Sequence, residues 1–144
     1  ASTHGYNSRL DEVQAAILRT KLRRIESYIN RRREIAQIYN EQLAGTSLVL
    51  PKEASWRRHV YYLYVVRHPN RDNIIAQLKE KGIHLNISYP TPIHLMEAYN
   101  SNDYRKGALP QTEAAAHEIF SLPMYPSLTD EEVTRVVKSL KELI

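Results

Sequence analysis

The sequence predicts an α+β domain with a long amino-terminal helix and a two-layer sandwich of a small, largely antiparallel sheet under helices. Three observations carry that expectation. Residues 9–44 keep a helical apolar period, residues 59–66 are a β-branched and aromatic run, and residues 128–144 close the chain with a capped amphipathic helix.

In the first stretch Leu10, Val13, Ile17, Leu18, Leu22, Ile25 and Ile29 are followed by Tyr28, Ile35, Ile38, Tyr39 and Leu43. Steps of three and four residues mark one buried helix face. Ser8 with Asp11 can cap the start, and Gly45 stops the end. A helix of about 36 residues would be on the order of 50 Å long. One domain of this size cannot cover it, so it should bend or pack partly against other protein.

"SLVLP" (47–51) is a short strand-like piece, and "HVYYLYVV" (59–66) reads as a central strand. "NRDNIIAQLKEKG" (70–82) is a helix with Ile74, Ile75 and Leu78 inward and Gly82 as its stop. "IHLNISYP" (83–90) alternates as a strand buried on one face does. "YPTPIHLMEAY" (89–99) is loop-like, because Pro90 and Pro92 break any ladder. Residues 100–110 form a polar loop. "PQTEAAAHEIFSLP" (110–123) is a short helix running into an apolar exit. In the closing helix Thr129 caps, Asp130, Glu131 and Glu132 suit the positive end, and Val133, Val136, Val137, Leu140, Leu143 and Ile144 bury. The expected organisation is a junction turn and connecting helix over 1–45, then a small domain over 46–144.

Composition narrows the function classes. Among 144 residues there is no cysteine, which removes disulfides, thiolate nucleophiles and zinc–cysteine sites and suits a reducing cytoplasm. No apolar run approaches a membrane span and no signal-peptide core is present, so a membrane partner is not expected. The net charge of +4 gathers in residues 9–44, where Arg9, Arg19, Lys21, Arg23, Arg24 and Arg31–Arg33 stand among Asp11, Glu12, Glu26, Glu34 and Glu41. Mixed signs favour a solvated helix face over a nucleic-acid stripe, and a basic surface also suits anionic small molecules such as sugar nucleotides. The six histidines share no metal-ligand spacing, and no nucleophile elbow, Walker loop or dinucleotide fingerprint occurs.

Two places remain. At Gly5–Arg9 a tight turn meets a helix start, with Asn7 as an amide donor and Arg9 as a guanidinium that can fork onto phosphate or carboxylate. On composition alone the plain helix cap is the favoured reading of this turn. At Ser88–His94 two prolines could aim Tyr89 and His94 at a cleft, or form a rigid connector with a surface histidine.

The order of motifs resembles the DegT/StrS family of PLP-dependent nucleotide-sugar aminotransferases. Gly5-Tyr6-Asn7-Ser8-Arg9 matches that family's G-Y-N-x-R turn. Glu12-Val13-Gln14-Ala15-Ala16, Lys21-Leu22 and Arg32-Arg33-Glu34-Ile35-Ala36-Gln37-Ile38-Tyr39 match its long helix. "HVYYLYVV", "RDNIIAQLKEKGI", "YPTPIHLMEAY", "LPQTEAA" and "SLPMYPSLTDEEV" follow in family order. The resemblance implies the small carboxy-terminal domain of a fold-type-I transferase, with the pyridoxal 5′-phosphate lysine in a larger preceding domain. The chain would then be a fragment, inactive alone and with no cofactor bound. The complete enzyme would move an amino group from an amino acid, commonly glutamate, to a keto group of a nucleotide-linked sugar, as a homodimer.

By the same resemblance Asn7, with Tyr6 beside it, would reach the neighbouring subunit's PLP phosphate. His94, Tyr89 and Arg9 would lie on the substrate side. Family members often carry His at the positions of Ser88 and Tyr62. Relatives that replace the lysine with histidine are dehydratases, and that position is not in this chain. A stand-alone oligomerisation module derived from the domain is the other alternative.

Overall fold

A computed structural model describes residues 9–99 and 105–144. The chain runs α1 (Glu12–Leu22), α2 (Ile25–Gln42), β1 (Tyr64–Arg67), α3 (Arg71–Glu80), two 3-10 turns (Ile93–Leu95 and Glu97–Tyr99), α4 (Pro110–Glu118), β2 (Ile119–Leu122) and α5 (Asp130–Lys141).

The predicted long helix is two helices. Arg24 takes φ −111° and ψ 2°, off the helical basin, and Ile25 starts afresh. The two halves meet different surroundings. Ile29, Ile35, Ala36 and Tyr39 of α2 are buried, whereas no described side chain of α1 is. Leu10, Val13, Ile17, Leu18, Leu22 and Ile25 stay exposed. Leu18, Leu22, Ile25, Tyr28, Arg32 and Pro126 line an open apolar groove of about 790 Å³. Arg32 Nε is buried with no hydrogen-bond partner among the described residues. Asp11, at the N-cap of α1, makes no side-chain capping bond, and the cap expected from Ser8 lies outside the described residues. Gly45 (φ 76°) and Gly82 (φ 75°) end α2 and α3 in left-handed conformations that disfavour a Cβ.

β1 and β2 pair antiparallel, Tyr64 opposite Leu122 and Arg67 opposite Ile119. One bridge extends the pair on each side, Val49 to Arg67 and Asn86 to Ser121. The strand-like readings at 47–51 and 83–90 therefore reduce to single bridges, and the apolar exit after α4 is the true partner of β1.

The central strand also begins five residues later than predicted, for a visible reason. Glu53 Oε1 accepts the His59 N–H at 2.6 Å, and Arg33 Nη1 donates to the His59 carbonyl at 2.7 Å. The Tyr61 N–H donates to His59 Nδ1 at 2.9 Å, and Tyr61 itself turns to φ 46°. Side chains satisfy backbone groups that a ladder would otherwise use.

Helices α2, α3 and α5 bring Ile35, Tyr39, Ile74, Leu78, Val133 and Leu140 onto Tyr64, Val66, Phe120 and Leu122 of the strands. That is the predicted α+β arrangement of helices on a small antiparallel sheet. Of the arginines expected on a solvated face, Arg9, Arg19, Arg23 and Arg24 are exposed, whereas Arg31 and Arg33 act as clamps. Arg31 holds the Leu128 carbonyl at 2.8 Å and Asp130 at 2.6 Å, and Arg33 grips both oxygens of Glu53. Among the described residues no helix is long and apolar enough to cross a membrane.

Thr129 and Glu132 form a reciprocal capping box on α5, with Glu132 N–H to Thr129 Oγ1 at 3.2 Å and Thr129 N–H to Glu132 Oε2 at 2.9 Å. Thr129→Ala should cost about 1 kcal/mol in urea unfolding, and Thr129→Ser should restore most of it.

Candidate functional site

The described part of the candidate site is built around His94. Pro92, at φ −58° and ψ 139°, leads the chain into the turn Ile93–Leu95, where Leu95 N–H bonds the Pro92 carbonyl at 2.9 Å. His94 is buried there and lines a cavity of about 380 Å³ with Ile93, Tyr99, Leu109 and Thr112.

Facing it is the first turn of α4. Pro110 opens that helix, where its missing N–H is no loss. The far end of α4 is pinned: Arg71 Nη1 donates to the Ala116 carbonyl at 2.6 Å, and the Arg67 guanidinium grips Glu118 Oε2 at 2.7 and 3.1 Å. This anchoring presents Glu113 to His94, with Oε1 3.0 Å from Nε2. The carboxylate also accepts the Gly107 N–H at 2.8 and 3.0 Å and the Leu109 N–H at 3.4 Å. The His94 hydrogen bond, then the backbone donors, hold the Glu113 carboxyl below its ordinary value against the opposing effect of desolvation.

The other expected residues lie apart. Tyr89 is 73% exposed and does not line the His94 cavity, and Arg9 is exposed ahead of α1. Asn7 and Tyr6 lie outside the described residues. Glu113 was not singled out from the sequence. Nothing in the sequence ties it to His94, nineteen positions away, and an acid in a first helical turn is common for dipole reasons alone.

A lysine that holds a cofactor aldehyde stands desolvated in a pocket. Lys21, Lys52, Lys79, Lys106, Lys138 and Lys141 are exposed, and Lys81 is hydrogen-bonded to Glu142 at 2.6 Å. The described residues therefore include no lysine desolvated in that way. Nor do they include a cluster of three or more His, Cys, Asp or Glu able to hold a metal ion. His68 is engaged structurally, by Ser47 Oγ and by the Asn70 N–H.

The described residues thus form a helical layer on a small antiparallel sheet, with a proline-guided histidine loop. The sequence profile of the DegT/DnrJ/EryC1/StrS aminotransferase family matches residues 1–141, and the chain belongs to that family. It is 50% identical to a dTDP-3-amino-3,4,6-trideoxy-alpha-D-glucose transaminase of Micromonospora megalomicea subsp. nigra, over 99% of this chain and 39% of that protein. It is 44% identical to a pleiotropic regulatory protein of Geobacillus stearothermophilus, over 96% of this chain and 38% of the other. The crystal structure of S. venezuelae DesV, in complex with a ketimine intermediate, superposes with a TM-score of 0.93 at 38% identity, covering 98% of this chain and 38% of that one. The chain thus spans less than two-fifths of the length of these relatives.

The depressed Glu113 carboxyl sets a pH dependence. Its contribution to stability should be present above pH 4.5, the ordinary carboxyl value, and fade as pH falls through the lower folded value. Urea midpoints compared between about pH 6 and about pH 3 should fall less steeply for Glu113→Gln than for the unsubstituted chain.

Proposed function

We propose that this chain is the carboxy-terminal part of a PLP-dependent aminotransferase that moves an amino group from an amino acid, glutamate, to a keto group of a nucleotide-linked sugar. The observation that carries this reading is the match of nearly the whole chain to under two-fifths of a dTDP-sugar transaminase at 50% identity. The uncovered apolar groove along α1 and α2 supports it, because a larger polypeptide would bury that face.

In this reading residues 1–45 are the junction turn and connecting helix, and residues 46–144 the small domain. Asn7, with Tyr6 beside it, addresses the cofactor phosphate of a neighbouring subunit in a cytoplasmic homodimer. His94 stands on the substrate side, with Tyr89 and Arg9 as further substrate-side residues. The cofactor supplies the electron sink for amino transfer when bound. This chain's contribution is binding and orientation of the sugar nucleotide.

Reading the coding DNA immediately upstream of Ala1 tests the proposal. An in-frame domain with a cofactor lysine is expected, and a stop codon or unrelated sequence there would overturn it. Adding pyridoxal phosphate and glutamate to the 144-residue chain alone should produce no absorbance of lysine-linked cofactor at the edge of the visible range.

The exposed α1 face also favours a second reading, a stand-alone oligomerisation module. Light scattering should then show self-association that a Leu18→Glu, Leu22→Glu double variant abolishes, whereas a monodisperse monomer sinks it.

A further inference from the structure

His94 is held by its ring nitrogen, not only by packing, and the bond that holds it decides which ring atom can meet a ligand. Its side chain is 8% exposed and that of Glu113 14%, so water competes weakly for the bond between them. An ionised carboxylate only accepts. With Gly107 and Leu109 N–H groups already directed at it, Glu113 offers Nε2 a lone pair and nothing else. Nε2 therefore carries a hydrogen whether the ring is neutral or charged.

The same carboxylate joins two stretches of chain. Ile93 and His94 lie on one, and Gly107 and Leu109 on the other; Ile93, His94 and Leu109 all line the cavity. Thr112, next to Glu113, completes that lining with Tyr99. Removing the carboxylate breaks the side-chain link between these two stretches.

We propose that Glu113 is the positioning residue for His94, locking the ring so that Nδ1 is the nitrogen offered to the nucleotide-linked sugar. The inference rests on the substrate-side reading of His94 proposed above. Arrangements of this kind fix both the tautomer and the direction of an imidazole, and the hydrogen bond at one nitrogen sets the role of the other.

Imidazole ¹⁵N spectra of this chain, recorded where the ring is neutral, should show His94 protonated at Nε2 and bare at Nδ1. Glu113→Ala should give an exchanging mixture of tautomers and move the Gly107 amide proton upfield. Glu113→Gln, whose Oε1 still accepts, should keep the wild-type tautomer. A His94 protonated at Nδ1 in the unsubstituted chain overturns the proposal, and that result needs no variant to fold. A Glu113→Ala spectrum identical to the unsubstituted one overturns it as well.

Kinetics of the full-length gene product separate the two claims. Glu113→Ala and His94→Gln should each raise KM for the sugar nucleotide by about tenfold or more while leaving KM for the amino donor unchanged. An unchanged sugar KM in His94→Gln, with the tautomer as expected, defeats the substrate-side reading and leaves the clamp standing. A failed tautomer with a raised KM defeats the clamp alone.

Discussion

The structure depends on the burial of two tyrosines that meet between α2 and β1. The rings of Tyr39 and Tyr64 lie 5.0 Å apart, tilted by 53°, and both side chains are fully buried. Aromatic bodies of this size dominate a small core, but their hydroxyls need partners. Tyr39 donates to the Pro123 carbonyl at 2.9 Å, just past β2, and Tyr64 donates to Asn40 Oδ1 at 2.6 Å on α2. Each bond ties a helix to the sheet region, so the requirement to satisfy two hydroxyls fixes how α2 sits. Burial, the largest cause, pushes both phenols well above their ordinary value, which keeps them neutral donors.

From that register the clamps follow. With α2 seated, Arg31 reaches the segment leading into α5 and Arg33 reaches Glu53 and the His59 backbone. α5 then packs its buried valines and Leu140 beside α2 and α3. α1 takes no part: beyond the break at Arg24 it presents apolar side chains that no other described residue buries. A helix with a core-like stripe and no core is incomplete as a folding unit. This physical incompleteness agrees with the partial coverage of the longer relatives.

Legibility from the sequence followed how local each signal was. The closing helix shows its cap and four of its six inward residues buried, Leu143 and Ile144 being half-buried beyond its end, because Thr129, Glu132 and the valine spacing are all local signals. The stops at Gly45 and Gly82 were equally plain. The β propensity of 59–66 overextends the strand, because Glu53 and Arg33, outside that run, hold the His59 backbone. From sequence β2 is only an apolar exit, because four residues after a helix carry almost no period. In the candidate site, the proline-framed motif points to His94, while no sequence signal points to Glu113 or the cavity. Their relation depends on segments far apart in the chain, with α4 held at its far end by Arg67 and Arg71.

What the sequence by itself determined was the family, the α+β class, the stops at Gly45 and Gly82, and the inward faces of α2, α3 and α5, all of which are written in residue order and spacing. The tertiary structure decided where the long helix breaks, which strand pairs with β1, which arginines are clamps, and how His94 is held. Each of those depends on distances between residues far apart in the chain. A hydrogen bond between such groups is settled only when the core has chosen its packing.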